Sequence, residues 1–148
     1  MRAVMGLALA ALLVAGCGEP GPRELALDRD ACAHCHMIVS DARFGGELVT
    51  RHGRVLVFDD AGCLATFVRE DPEQAARAHS LWVVDFLEPG ALLPADSAVF
   101  LETDRLRTPM SFQLLAARPG PSADSLAEAL GAARRTWAQV LERAGSGS

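Results

Sequence analysis

Lysine is absent from this 148-residue chain, and all 14 basic residues are arginine. Set against 19 acidic residues, they leave a formal net charge of −5. The charges are spread along the chain without the basic patch that a nucleic-acid surface needs, so no nucleic-acid partner is expected. Tyrosine is also absent, and only 5% of residues are aromatic, which is scant material for enclosing a porphyrin. No G-x-S-x-G, Walker loop or H-E-x-x-H string occurs, so no catalytic constellation is expected and the chain does not read as an enzyme. What is present is globular: 50% hydrophobic and 22% charged residues in a length suited to one domain with a real core.

No apolar run is long enough to span a bilayer. The opening MRAVMGLALAALLVAGC holds one Arg and then an apolar run of about a dozen residues, the size of a signal-peptide h-region. Its end, Leu13-Val14-Ala15-Gly16-Cys17, resembles the lipobox of bacterial lipoproteins. That implies a signal peptide over 1–16, cleavage before Cys17 and lipidation of its thiol. Acyl chains anchor a protein without a transmembrane helix, so the mature chain is expected on the outer side of a membrane, in the cell envelope. GEPGPRELALDRD then reads as a tether, giving a lipidated N-terminus and tether over 17–31. After processing, the remaining sulfur is Cys32, Cys35, Cys63, Met37 and Met110. Three thiols are an odd number for a disulfide framework.

Residues 31–37 read ACAHCHM, which fits several chemistries. Cys32 to His36 is a C-x-x-C-H string, the attachment signal for haem c, with Met110 available as a second axial ligand. Cys32 and Cys35 alone are a C-x-x-C redox pair. Cys35, His36 and Met37 together are compact soft donors of the kind that select Cu(I). A structural zinc site lacks a second ligand pair.

The remaining pattern is α+β. Residues 47–51 and 54–58 flank His52-Gly53 as a hairpin. Leu64, Phe67 and Val68 recur at helical spacing behind Asp59 or Asp60 as N-cap. Asp71-Pro72 ends that helix or opens a short one, and 81–86 reads as a strand. Strands at 97–101 and 111–115 and a helix from Ser122, with Ser as its cap, repeat the order. Arg134 to Ala138 reads as a last strand or the start of a terminal helix. Two β-β-α-β units in one small domain follow from the first choice, and the strand content weighs against haem. The metal-binding domain is expected over 32–143, with a flexible tail at 144–148.

Several stretches in order resemble the NosL family, the lipid-anchored accessory proteins of nitrous oxide reductase. They are Cys32 with Cys35-x-Met37, Phe58-Asp59-Asp60, Trp82-Val-Val-Asp85-Phe86 and Thr108-Pro109-Met110, behind a lipoprotein signal. The resemblance implies a tandem β-β-α-β fold and a Cu(I)-binding chaperone that supplies copper to nitrous oxide reductase. By position it implies Cys35, Met37 and Met110 as ligands. His36 stands where the family commonly has Gly, and it adds an imidazole to the loop.

A thiolate with one or two thioethers would hold Cu(I) and still permit ligand exchange, as a carrier requires. Each residue also has a plainer reading. Met37 and Met110 could pack in the core. Cys32 could be a second ligand, a disulfide partner or a redox thiol, and His36 a ligand or a solvated loop residue. Cys63 reads as a small buried hydrophobe, Asp59 and Asp60 as capping residues, and His52 and His79 as surface residues. A general envelope copper carrier unconnected with nitrous oxide remains a variant, because the acceptor is not written in the donor's ligands.

Overall fold

The computed structural model describes residues 18–145. The expected signal segment, Cys17 and residues 146–148 lie outside them. Among the described residues no helix is long and apolar enough to cross a membrane.

The first hairpin pairs β1 (Gly46–Thr50) with β2 (Val55–Phe58) in register Gly46↔Phe58 through Val49↔Val55. Gly53 takes φ 79 in the turn, a left-handed value that favours glycine. Helix α1 (Ala61–Glu70) follows at once, capped by Asp60, whose side chain accepts from the Cys63 N–H. Asp71 closes α1 and caps α2 (Pro72–Ala76), where Pro72 costs no hydrogen bond because the first-turn N–H would be unpaired anyway. β3 (Ala78–Val84) returns to the far side of β1, and β4 (Leu92–Pro94) extends the sheet to the order β2-β1-β3-β4.

After a short 3-10 turn at Ala95–Ser97, the second half repeats the pattern. β5 (Val99–Glu102) pairs with β6 (Leu114–Ala117), then come α3 (Pro121–Leu130) and β7 (Ala133–Arg135) on the other side of β5. Both sheets therefore place the first strand of the unit in the middle, as β2-β1-β3 and β6-β5-β7. This is the tandem β-β-α-β arrangement. The Arg134–Ala138 alternative resolves into both elements: β7 ends at Arg135, Thr136 caps with a capping box, and α4 runs Trp137–Ala144. Two expectations shift. α3 starts at Pro121 behind Gly120 with no side-chain cap, so Ser122 is not its N-cap. The return strand begins at Leu114, because residues 108–113 form a turn in which Ser111 and Gln113 both have φ 60.

The two halves share one core. Leu48, Phe58, Leu64 and Val83 from the first pack with Phe100, Leu114, Trp137 and Val140 from the second. Strand alternation explains the division within β5: Phe100 points into this shared core, while Leu101 joins Phe44, Leu115 and Ala127 in a smaller cluster beneath α3. Burying two opposite faces of a four-residue strand accounts for its apolar run.

From Arg23 onward, the segment expected to act as tether is folded onto the outer face of the first sheet. The Arg23 N–H donates to Glu47 Oε2 at 3.0 Å, and Glu47 is fully buried. Arg23 also makes two 2.8 Å hydrogen bonds to Asp30, closing the segment on itself and holding the Asp30 pKa below its usual range. Asp28 and Asp30 then exchange backbone bonds with Val39 at 2.9 Å, which leads the chain into the cysteine loop.

One close contact positions the turn before β6. A Cβ on Gly62 would lie 2.0 Å from Phe112 Cγ and 2.5 Å from Phe112 Cβ, so glycine is what lets Phe112 lie on the first turn of α1. Ala in a helix gains about 1 kcal/mol over Gly, but overpacking costs about 1–3 kcal/mol. Gly62→Ala should therefore lower stability in urea unfolding. The added loss should vanish in a Phe112→Gly background, where both the ring and the Cβ that obstruct it are gone.

Candidate metal centre

The loop that carries C-x-x-C is closed by its own backbone. Ala31 bridges Ile38, the Cys32 N–H donates to the Met37 carbonyl at 2.8 Å, and the His36 N–H donates to the Cys32 carbonyl at 3.0 Å. His36 has φ 63, so the turn demands a left-handed residue here. That conformation favours glycine and costs histidine about 1 kcal/mol. The Ala33 N–H donates to the Val57 carbonyl at 2.8 Å, seating the loop on the end of β2 beside the start of α1.

That seating buries Cys32, which is 1% exposed, next to Cys63 at the third position of α1, which is 0% exposed. Cys35 is half-buried at the rim. The three sulfurs all lie within 4.8 Å of one another, and all three thiols are free. No other cluster of three Cys, His or carboxylate groups that could hold a metal occurs among the described residues. The sequence reads Cys63 as a small buried hydrophobe. It is buried, but it is also the third thiol of this cluster. The signals for it are the odd thiol count and its place in the first turn of the helix that follows the hairpin.

Negative charge in the cluster settles on Cys32. The Cys63 S–H donates to its sulfur, and the N–H groups of Cys35, Asp59 and His34 add to this, lowering its pKa from 9.0 to about 4 against the effect of burial. Cys63 is pushed up, first because its proton is held by Cys32 and then by burial. Cys35 is pushed up chiefly by burial. A metal arriving here meets one ready thiolate and displaces protons from the other two.

Two carboxylates flank the sulfurs. Asp59 is buried with Oδ1 unpartnered, and burial together with the nearby Asp60 and Cys32 charges raises its pKa to about 6. Asp60, 1% exposed, accepts from the Cys63 N–H through Oδ1 at 2.8 Å and from the Met110 N–H through Oδ2 at 3.1 Å. Burial pushes its pKa up, and these N–H groups pull against that. The expected capping role belongs to Asp60, with Met110 as a second, long-range partner.

The methionines differ. Met110 is half-buried and packs against the core cluster that includes Cys32 and Cys63. Met37 is 54% exposed, so it does not pack in the core. It stands in solvent beside Ile38, which is 48% exposed, at the mouth of the loop. His36 is exposed, and His34 lies 3.6 Å from Glu70. His52 is exposed, as expected of a turn.

The geometry disfavours the two covalent rivals. Haem attachment needs the Cys32 sulfur at a surface open to porphyrin, and here it sits inside the core against Cys63. A thioredoxin-type pair exposes its first thiol at a helix N-terminus, whereas the first thiol here is the buried one, on a loop.

No family model matches the sequence, and no curated protein is significantly similar to it. Among solved structures, the copper chaperone NosL from Shewanella denitrificans superposes with a TM-score of 0.69 at 20% identity, covering 82% of this chain and 96% of that one. The chain has a NosL-like fold. In it, the C-x-x-C loop and the first turn of α1 form one corner of the first β-β-α-β unit, and the turn carrying Met110 is supplied by the second.

The Cys32 charge has a direct test. Its pKa is depressed, so the thiolate is present at pH 7 and takes up a proton only as pH falls through about 4. Thiolate ultraviolet absorbance of reduced, metal-free protein at pH 7 should correspond to one sulfur per chain, fade near that pH, and be missing in Cys32→Ser. Absorbance that first appears above about pH 8, as for an ordinary thiol, would contradict it.

Proposed function

We propose that this protein is a non-enzymatic Cu(I) carrier of the bacterial cell envelope. The observation that carries the reading is the convergence of the Cys32, Cys35 and Cys63 sulfurs within 4.8 Å. Cu(I) is a soft ion that takes thiolate and thioether at low coordination number, and no hard oxygen donor belongs to this cluster. The NosL-like fold, shared with the copper chaperone of Shewanella denitrificans, supports the same reading.

In this proposal Cys32 and Cys63 hold the ion from inside and Cys35 holds it from the rim. Met110 and Met37 supply thioethers, Met110 from the second half and Met37 from the solvent side. Cu(I) held only by buried thiolates would exchange slowly. A half-exposed Cys35 gives an acceptor's ligand one sulfur to displace first, and Met37 beside it can share the ion during exchange. The acceptor we infer is nitrous oxide reductase, for assembly of its copper centres. The expected lipid on Cys17 would hold the carrier at the membrane on the periplasmic side.

Anaerobic titration against a Cu(I) chelator should give one Cu(I) per chain. Cys35→Ser and Cys63→Ser should each weaken binding by more than about tenfold, and Met110→Ala or Met37→Ala by less. Unchanged affinity in all four variants would refute the assignment. For the acceptor, copper-loaded protein is mixed with copper-free nitrous oxide reductase and the metal is followed after separation. Transfer no faster than from a Cu(I)–glutathione control would leave a general envelope copper carrier instead.

A further inference from the structure

We propose that Asp60 is the positioning residue that joins the two halves of the metal site, by fixing the Met110 turn to the backbone of Cys63. The inference rests on the copper reading and on Met110 as a ligand within it. Asp60 is buried, 1% exposed, and both its oxygens are committed: Oδ1 to the Cys63 N–H at 2.8 Å, Oδ2 to the Met110 N–H at 3.1 Å. The backbones of two sulfur donors, distant in sequence, thus hang on one carboxylate.

The turn's other hydrogen bonds come from its own half. The Ser111 N–H donates to the Thr108 carbonyl at 3.0 Å, the Gln113 N–H to Thr108 Oγ1 at 3.2 Å, and the Thr103 N–H to the Gln113 carbonyl at 2.9 Å. Among the described hydrogen bonds of residues 108–113, only the one to Asp60 reaches the first half. Those local bonds shape the turn, Phe112 rests it on Gly62, and Asp60 ties the Met110 backbone itself to that of Cys63. A helix cap needs a single acceptor, which Ser, Asn or Asp supplies equally well. Two N–H groups approaching from opposite sides need two acceptors on one short side chain, and a carboxylate is the group that provides them.

This separates capping from positioning. Asp60→Asn keeps one acceptor for Cys63 and turns an N–H₂ toward the Met110 N–H. Asp60→Ser keeps the cap and is too short to span both donors. Each variant should melt as a folded protein and keep its three thiols. Each should also bind Cu(I) more weakly, by less than about tenfold, since what it forfeits is the Met110 thioether. The loss should match that of Met110→Leu and should not deepen in the Asp60→Asn/Met110→Leu double variant. In wild-type protein the Met110 methyl resonance should shift on Cu(I) addition, and in Asp60→Asn it should not.

Wild-type affinity and a normal methyl shift in Asp60→Asn would overturn the proposal, as would losses that add in the double variant. Cu(I) binding by wild type without any response of the Met110 methyl would leave the copper reading standing and remove the positioning role. Failure of wild type to take Cu(I) at all would remove both.

Discussion

The first turn of α1 is the place on which the rest of the structure depends. It begins almost directly after β2, because Asp59 alone separates the end of the hairpin at Phe58 from Asp60, the helix cap. Starting there, it places Cys63 against the loop that β2 anchors through the Val57 carbonyl, and it places Gly62 under Phe112. One short stretch of helix therefore meets the N-terminal loop, its own sheet and the second β-β-α-β unit. Its N–H groups are satisfied by a buried carboxylate rather than by water. That substitution is worthwhile only where several elements converge and exclude solvent.

The electrostatics follow from this packing. A buried thiolate is costly unless hydrogen-bonded, and Cys32 has the Cys63 thiol and backbone N–H groups aimed at it. The same burial leaves Asp59 with an unpartnered oxygen and a raised pKa. Without metal, the corner holds more negative charge than its hydrogen bonds comfortably serve. In the function proposed above, a bound cation would offset that charge. Glu47 is a parallel case on the opposite face of the first sheet, buried with one oxygen unpartnered and a raised pKa, but no cluster of donors surrounds it.

Residues 23–30 bear on how the domain is carried. The sequence reads there as the end of a tether, since Gly and Pro come just before it at 18–22 and no sustained periodicity follows. In the fold, Leu25 lies so close to Gly45 that a Cβ there would be 2.3 Å from its Cδ2, and the Arg23–Asp30 pair clamps the segment. Packing of this kind leaves no local pattern, because the contacts fix an irregular chain rather than a helix or strand. It shortens the free length available between the expected lipid and the metal loop.

Local chemistry in the sequence was enough for much of the architecture. Alternation in 47–58, helical spacing at Leu64, Phe67 and Val68, and the Asp60 cap specify the first β-β-α unit, because each depends on neighbours a few residues apart. The C-x-x-C string located the cysteine loop for the same reason. The later half was less legible at its edges: β6 starts three residues beyond the expected Ser111, since left-handed Ser111 and Gln113 prolong the turn. What only tertiary structure decided is which sulfurs meet. Cys63 lies far from the motif in sequence and reads as core, and Met37 adjoins it yet faces solvent. Period and spacing fix where a side chain points relative to its own element, whereas the meeting of β2, α1 and the 108–113 turn is set by the packing of whole elements against one shared core.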